Sequence, residues 1–215
     1  MNESMNPAPE AKPDAKGNKK EEASLRRDIY DWMQCIVMAI IVCVLLFSFF
    51  VRLVDVVGIS MNPTLEDGDK IIVSNLFYDP KPGDIIVFRK DEYREEPLVK
   101  RIIAVEGQTV DIDFDRGIVY VDGEPLDEPY IAELTTDPID FTGEITVPEG
   151  CVFVMGDNRA NSADSRYHQD DSSHGLVPVS DVVGVGLVKY WPLNHISTLD
   201  AHHDVFKDVP EGSAD

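Results

Sequence analysis

Three stretches of this chain hold residues whose types and spacing can do chemistry together. GISMNPTLEDGDK, residues 58–70, sets Ser60 at the end of an apolar run, just ahead of a turn stopped by Pro63. Gly58 and Gly68 mark places where the backbone turns or where something packs close against it. PLVKRIIAVEGQ, residues 97–108, puts Lys100 and Arg101 side by side in an otherwise apolar strand. Side chains alternate along a strand, so Lys100, Ile102 and Ala104 face one way while Arg101 and Ile103 face the other. Whichever face is the core, one of the two cations is aimed at it. Burial disfavours an ammonium ion and lowers its pKa. A neutral amine is a usable general base, and lysine is easier to neutralise than arginine. VMGDNRANSADSR, residues 154–166, gathers Asp157, Asn158, Arg159, Asn161, Ser162, Asp164, Ser165 and Arg166 behind a strand ending at Met155. Such a loop can form a polar network that positions one reactive group. Taken singly, each stretch has a blander reading. Ser60 is then a turn residue, Lys100 snorkels at an edge beside an Arg101–carboxylate pair, and the loop is a solvated turn.

The elements that must position these groups read as strands. KIIVS, DIIVF, VKRIIAV, TVDIDF, IVYVD and CVFVM are short β-branched runs separated by Gly, Pro and Asp turns. Asp122-Gly123 within VYVDGEPL signals a tight hairpin. No amphipathic helix of helical-bundle length interrupts the series, which argues against a parallel βαβ sheet. The pattern predicts a mostly β, antiparallel domain over residues 54–200, with a loose tail over 201–215.

At 215 residues the chain has room for one substantial domain with accessories. Its formal net charge of -21 argues against a nucleic-acid surface, which needs clustered Lys and Arg. Of the three cysteines, Cys35 and Cys43 lie in an apolar run and Cys151 is alone beyond it, so no disulfide within the β domain reveals the compartment. Residues 1–30, poor in large apolar side chains up to about residue 24, are expected to be disordered and cytoplasmic. WMQCIVMAIIVCVLLFSFFV, residues 32–51, carries no charge between Asp31 and Arg52. As a helix it is roughly 30 Å long, the thickness of a bilayer's apolar core. A buried core helix so uniformly apolar would need protein on every side, and a cleaved leader would need a small-x-small site after it. A retained transmembrane helix over 31–53 is the reading that fits. Lys12, Lys16, Lys19, Lys20, Arg26 and Arg27 precede the span and only Arg52 follows closely. The positive-inside tendency places the N-terminus in the cytoplasm and the β domain outside the cell membrane.

In order and spacing, SMNPT, VKRIIAVEGQ and MGDNRANSADSR resemble the signature boxes of bacterial type I signal peptidases. The likeness runs from about Gly58 to KYWPLN at 189–194 and takes in VDGEPLDEPYI and VPEGCVFVMGDNR. The resemblance implies the β fold shared with self-cleaving repressors, and removal of signal peptides from secreted preproteins after a small-x-small motif. It assigns Ser60 as nucleophile and Lys100 as general base, with Ser162 orienting the lysine amine. Asp164 and Arg166 match a supporting acid–guanidinium pair, and Asp157 and Arg159 match structural positions of the same loop. The oxyanion is expected at the Ser60 N–H plus a second donor. Some members carry a serine hydroxyl two residues before the nucleophile, but here that residue is Gly58, so a backbone N–H must serve. Val56, Met61, Leu65 and Val99 match positions lining shallow apolar substrate pockets, with ordinary core packing as their plainer reading. An extended substrate would add as a strand beside Val56–Gly58 and Leu98–Val99. Signal peptides and the bilayer are the expected partners, with no cofactor, metal or nucleic acid. Ala160 stands where an acid is frequent, and HQDDSSHG after Tyr167 is a longer connection than usual.

Rival readings are weaker. The self-cleaving repressors need a DNA-binding module where this chain has its apolar span. A serine–histidine hydrolase would use His168 or His174, both in the polar 168–175 insertion, whose His and Asp residues lack tight metal-ligand spacing. A membrane-anchored binding module with a decayed site would have no reason to hold Ser60, Lys100 and Ser162 together.

Overall fold

The computed structural model describes residues 15–76, 78–89, 97–167 and 175–206. The expectations for residues 1–14, for His168 and His174 in the insertion, and for the tail past residue 206 fall outside that set. The chain divides into two compact units, the first ending at Phe49 and the second beginning at Phe50.

The described residues of the first unit belong to one helix, α1, Ala15–Phe50. It starts well inside the stretch expected to be disordered, which is a correction to the sequence reading for residues 15–30. The reason is compositional. KKEEASLRRD is built from strong helix formers, and no proline follows Pro13 to interrupt a helix that continues into the apolar run. Residues 27–45 form a segment long and apolar enough to cross a membrane by length and composition. Its side chains there are exposed. The helix stops at Phe50, and strand β1 (Val51–Asp55) follows at once. The β unit therefore begins about four residues earlier than the sequence predicts, because Arg52 and Leu53 pair with Val73 and Ile72 on β2 (Lys70–Ser74).

The second unit is antiparallel β throughout its described pairings. Further strands are β3 (Ile85–Phe88), β4 (Leu98–Val105), β5 (Thr109–Asp113), β6 (Ile118–Val121), β7 (Glu124–Pro125), β8 (Ile145–Thr146), β9 (Cys151–Met155), β10 (Val177–Pro178), β11 (Val182–Trp191) and β12 (Ser197–Thr198). The larger sheet runs β1-β2-β11-β3-β4-β9-β10, with β12 on β11, and the smaller runs β7-β6-β5-β8. Each apolar run picked out in the sequence is one of these strands. Asp122 and Gly123 both take positive φ and join β6 to β7, the left-handed pair that a two-residue hairpin turn needs.

Three apolar clusters cover the central strands on both faces. One holds Val56, Met61, Leu65, Ile71, Val73, Ile85, Val87 and Val99. A second, with Ile86, Phe88, Ile102, Val152, Val154 and Val177, covers part of the large sheet from the other side. The third joins the two sheets through Ile103, Val110, Val119, Val121, Phe141, Phe153 and Met155. Because β4 is buried on both faces, the question of which cation points inward has an unexpected answer: both do. Lys100 is 2% exposed and Arg101 is 0% exposed.

The loose tail expected over 201–215 is anchored in its described part: Phe206 is buried in the cluster around Ile103 and Met155, while Leu199, just before it, packs on the cluster around Met61 and Leu65. Those two apolar side chains are spaced to reach two separate cores, a relation that tertiary structure alone creates.

Candidate active site

Ser60 leads a turn in which Asn62 N–H donates to the Ile59 carbonyl and Leu65 N–H to the Met61 carbonyl. Met61 and Leu65 lock the turn to the core. This leaves the half-buried Ser60 side chain on a cleft of about 380 Å³, lined among others by Val57, Ile59, Leu98, Lys100, Asn161 and Tyr167. Lys100 reaches the same cleft from the middle of β4. Its Nζ and Ser60 Oγ are hydrogen-bonded at 2.7 Å, and the amine also donates to the Val99 carbonyl at 3.0 Å. Residues 40 apart in the chain thus meet side chain to side chain.

The polar loop after β9 fixes the serine from behind. Asn158 N–H donates to the Ser60 carbonyl at 3.0 Å, and its side-chain amide to the Ile59 carbonyl at 3.1 Å. Next to it, Asp157 takes the Thr64 hydroxyl and a two-pronged bond from Arg101, Nε at 2.9 Å and Nη2 at 2.8 Å. Gly156 packs so closely that a Cβ there would overlap both the Ser60 carbonyl oxygen and the Ser162 side chain. That close approach explains the glycine.

Behind this layer lie two more buried ion pairs. Asp164 is held two-pronged by Arg166, at 2.9 and 3.0 Å, and accepts the Gly156 N–H. Burial pushes the Asp164 carboxyl up, but Arg166, the nearby Ser162 hydroxyl and the Gly156 N–H together bring it below the ordinary aspartate value. Arg159 pairs with Glu128 at 2.6 and 2.9 Å and donates to Thr135 and the Gly156 carbonyl. Burial opposes the Arg159 charge, and Glu128 more than restores it. A buried charge persists only when paired and hydrogen-bonded, and these three arginines each meet that condition.

The expected site residues are therefore distributed as follows. Ser60 and Lys100 are brought together, and the Asp164–Arg166 pair forms as the resemblance implied. Asp157 and Arg159, neighbours in the same loop, go to different partners, Arg101 and Glu128. Ser162 is 5% exposed, and its Oγ forms no well-shaped hydrogen bond, although it lies near enough to Asp164 to favour the carboxylate. The orienting bond expected from Ser162 to the Lys100 amine is thus not formed here. The Gly58 N–H, expected as a second oxyanion donor, instead donates to the Asp67 carboxylate at 2.7 Å. Of the expected substrate-contacting residues, Leu98 lines the cleft, whereas Val56, Met61, Leu65 and Val99 are buried in the core cluster. Alternation explains the correction, since Val57 and Leu98 face the cleft and their neighbours Val56 and Val99 face the interior.

Sequence reasoning did not single out Thr64, Glu128, Tyr130 or Thr135, and it named Asn158 only as one of the loop. Glu128 and Tyr130 sit in an irregular segment with no periodicity. The one available signal was arithmetic: three arginines in apolar or dense polar surroundings require three carboxylates.

Residues 29–191 match the family described as signal peptidase, peptidase S26. Signal peptidase I of Mycobacterium tuberculosis is 34% identical over 86% of this chain and 81% of its own length. Probable signal peptidase I-1 of Synechocystis sp. is 39% identical over 73% of the chain and 80% of its own, and signal peptidase I of Bacillus caldolyticus is 35% identical over 77% and 92%. The chain belongs to the S26 signal peptidase family.

Proposed function

We propose that this protein is a membrane-anchored serine endopeptidase that removes signal peptides from secretory preproteins by a serine–lysine mechanism. The observation that carries the reading is the 2.7 Å contact between Ser60 Oγ and the amine of Lys100, a residue only 2% exposed. In that setting the neutral amine is favoured. Its N–H donates to the Val99 carbonyl, which aims the lone pair at the Ser60 hydroxyl. Ser60 Oγ attacks the scissile carbonyl carbon as its proton passes to Lys100. The Ser60 N–H stabilises the oxyanion that forms. The ammonium then protonates the leaving amine, and the lysine, neutral again, activates the water that releases the acyl group.

Register supports the way a substrate would lie. β9 pairs with β4 from Arg101 to Val105, and Leu98, ahead of that register on β4, lines the cleft. An extended peptide fits there as an added strand beside the dyad. Leu53 and Trp191 share one outward sheet face and are exposed, as are Leu193 and Ile196 nearby. That apolar surface supports contact with the outer leaflet, where a substrate's own apolar segment resides. Anchoring enzyme and substrate in one bilayer raises their effective concentration.

The test is incubation of the detergent-solubilised protein with a preprotein, with mapping of the cut. Cleavage after a small-x-small triplet by wild type, and none by Ser60→Ala, is the expected outcome. Cleavage that survives Lys100→Ala would move the assignment to another base.

A further inference from the structure

The segment 199–206 lies past the family match, which ends at residue 191, and it grips the strand that carries Lys100. The Asp200 carbonyl accepts Arg101 Nη1 at 3.1 Å, sharing that nitrogen with the Gly83 carbonyl at 2.9 Å. The Arg101 guanidinium rests 4.0 Å over the Tyr130 ring, and the His202 ring lies 5.3 Å from that same ring. His203 bonds the Pro82 carbonyl at 3.0 Å and stands 3.4 Å from Asp84. Between them the Ala201 carbonyl presses on Gly83, where any Cβ would collide with it. Leu199 and Phe206 pin the two ends in separate cores. The segment is a strap across the back of the site.

Its contacts lead to the nucleophile without a gap. Arg101 holds Asp157, Asp157 takes the Thr64 hydroxyl, and Asn158 beside it holds the carbonyls of Ser60 and Ile59. A guanidinium has five N–H donors. Here Nε and Nη2 serve Asp157, and Nη1 is divided between Gly83 and the strap. Removing the strap leaves a buried donor short of an acceptor, and the structure must relax to wet it. The relaxation falls on the one arginine that ties β4 to the loop behind Ser60.

We propose that residues 199–206 are a positioning element for the catalytic dyad, acting through Arg101 and Asp157, so that the strap sets how Ser60 meets Lys100. The proposal rests on the dyad reading above. It concerns turnover more than substrate capture, because the strap contacts the back of the site and does not line the cleft.

The full-length enzyme in detergent tests this with a preprotein substrate and four variants: truncation after Leu199, Phe206→Ser, Phe206→Leu and His202→Ala. Rates are taken well below each variant's Tm. Truncation and Phe206→Ser should lower kcat about tenfold with KM little changed, since misplacing reacting groups by about an ångström costs up to about 10²-fold. The acid limb of their pH–rate profiles should move upward by about one unit, because a looser site admits water to the amine. Phe206→Leu should recover most of the loss, and His202→Ala should show a smaller change of the same kind. A lowered Tm with kcat and acid limb both unmoved would overturn the proposal. If the truncated chain fails to fold, Phe206→Ser and His202→Ala decide the matter by the same criteria. A wild-type enzyme that cuts nothing, or a Ser60→Ala enzyme that still cuts, defeats the dyad reading itself.

Discussion

At the scale of the residue, the chemistry turns on how dry one amine is kept. Replacing Ser60 or Lys100 with alanine should each reduce precursor cleavage by at least about 10³-fold, and the double variant should be little worse, since the two act as a unit. Folding should survive both changes, which circular dichroism and thermal melting will check. The pH dependence of kcat/KM should show an acid limb well below about 10.4, the unperturbed lysine value, because only neutral Lys100 can accept the proton. That limb should persist in His168→Ala; its disappearance there would assign the base to the histidine. Gly156→Ala is a sharper probe of geometry. Its new methyl group would press on the Ser60 carbonyl and the Ser162 side chain, so activity should fall far more than stability does.

Among the elements, β4 and the loop after β9 form one assembly because three buried arginines hold them. The Arg101–Asp157 pair joins strand to loop, Arg166–Asp164 closes the loop on itself, and Arg159–Glu128 ties it to the segment after β7. Removing one partner strands a buried charge, which costs about 3–5 kcal/mol. Arg101→Ala and Glu128→Ala should therefore each lower Tm markedly in a thermal melt. Arg101→Lys should not rescue, because an ammonium cannot reproduce the two-pronged bond to Asp157. The same elements explain why Val57 and Leu98, with side chains on the cleft, are better targets for altering substrate choice than Val56 and Val99, which are core.

For the whole molecule, the pH dependence of stability follows from the shifted groups. Asp164 titrates below its ordinary value in the folded state, so the stability it contributes is present above about pH 3.9 and is lost as pH falls through its lower folded value. Thermal melts should hold a plateau above about pH 5 and drop steeply below about pH 4, and Asp164→Asn should start lower and slope less. Tyr130 and Tyr78 are pushed up, by burial first and then by Glu128 and Asp84 respectively, so stability should also decline as pH rises past about 10. If the anchor is oriented as the flanking charges suggest, protease added outside intact cells should reach the β unit and spare the N-terminal segment. The reverse digestion pattern would sink that topology.

Much of this protein is legible in the linear chain. The apolar span, the β-branched runs, the Asp-Gly hairpin and the three polar boxes are local patterns, and local patterns follow from propensity and alternation. Pairing Ser60 with Lys100 came from resemblance, since nothing in the spacing of 40 residues dictates it. Only tertiary structure decided which carboxylate each arginine takes, that both faces of β4 are covered, and that the Gly58 N–H turns to Asp67. It also showed that residues 200–206 close over Arg101, where composition suggested a free end from residue 201 onward. Burial and charge pairing are long-range properties, set by which strands become neighbours, and no window of sequence contains them.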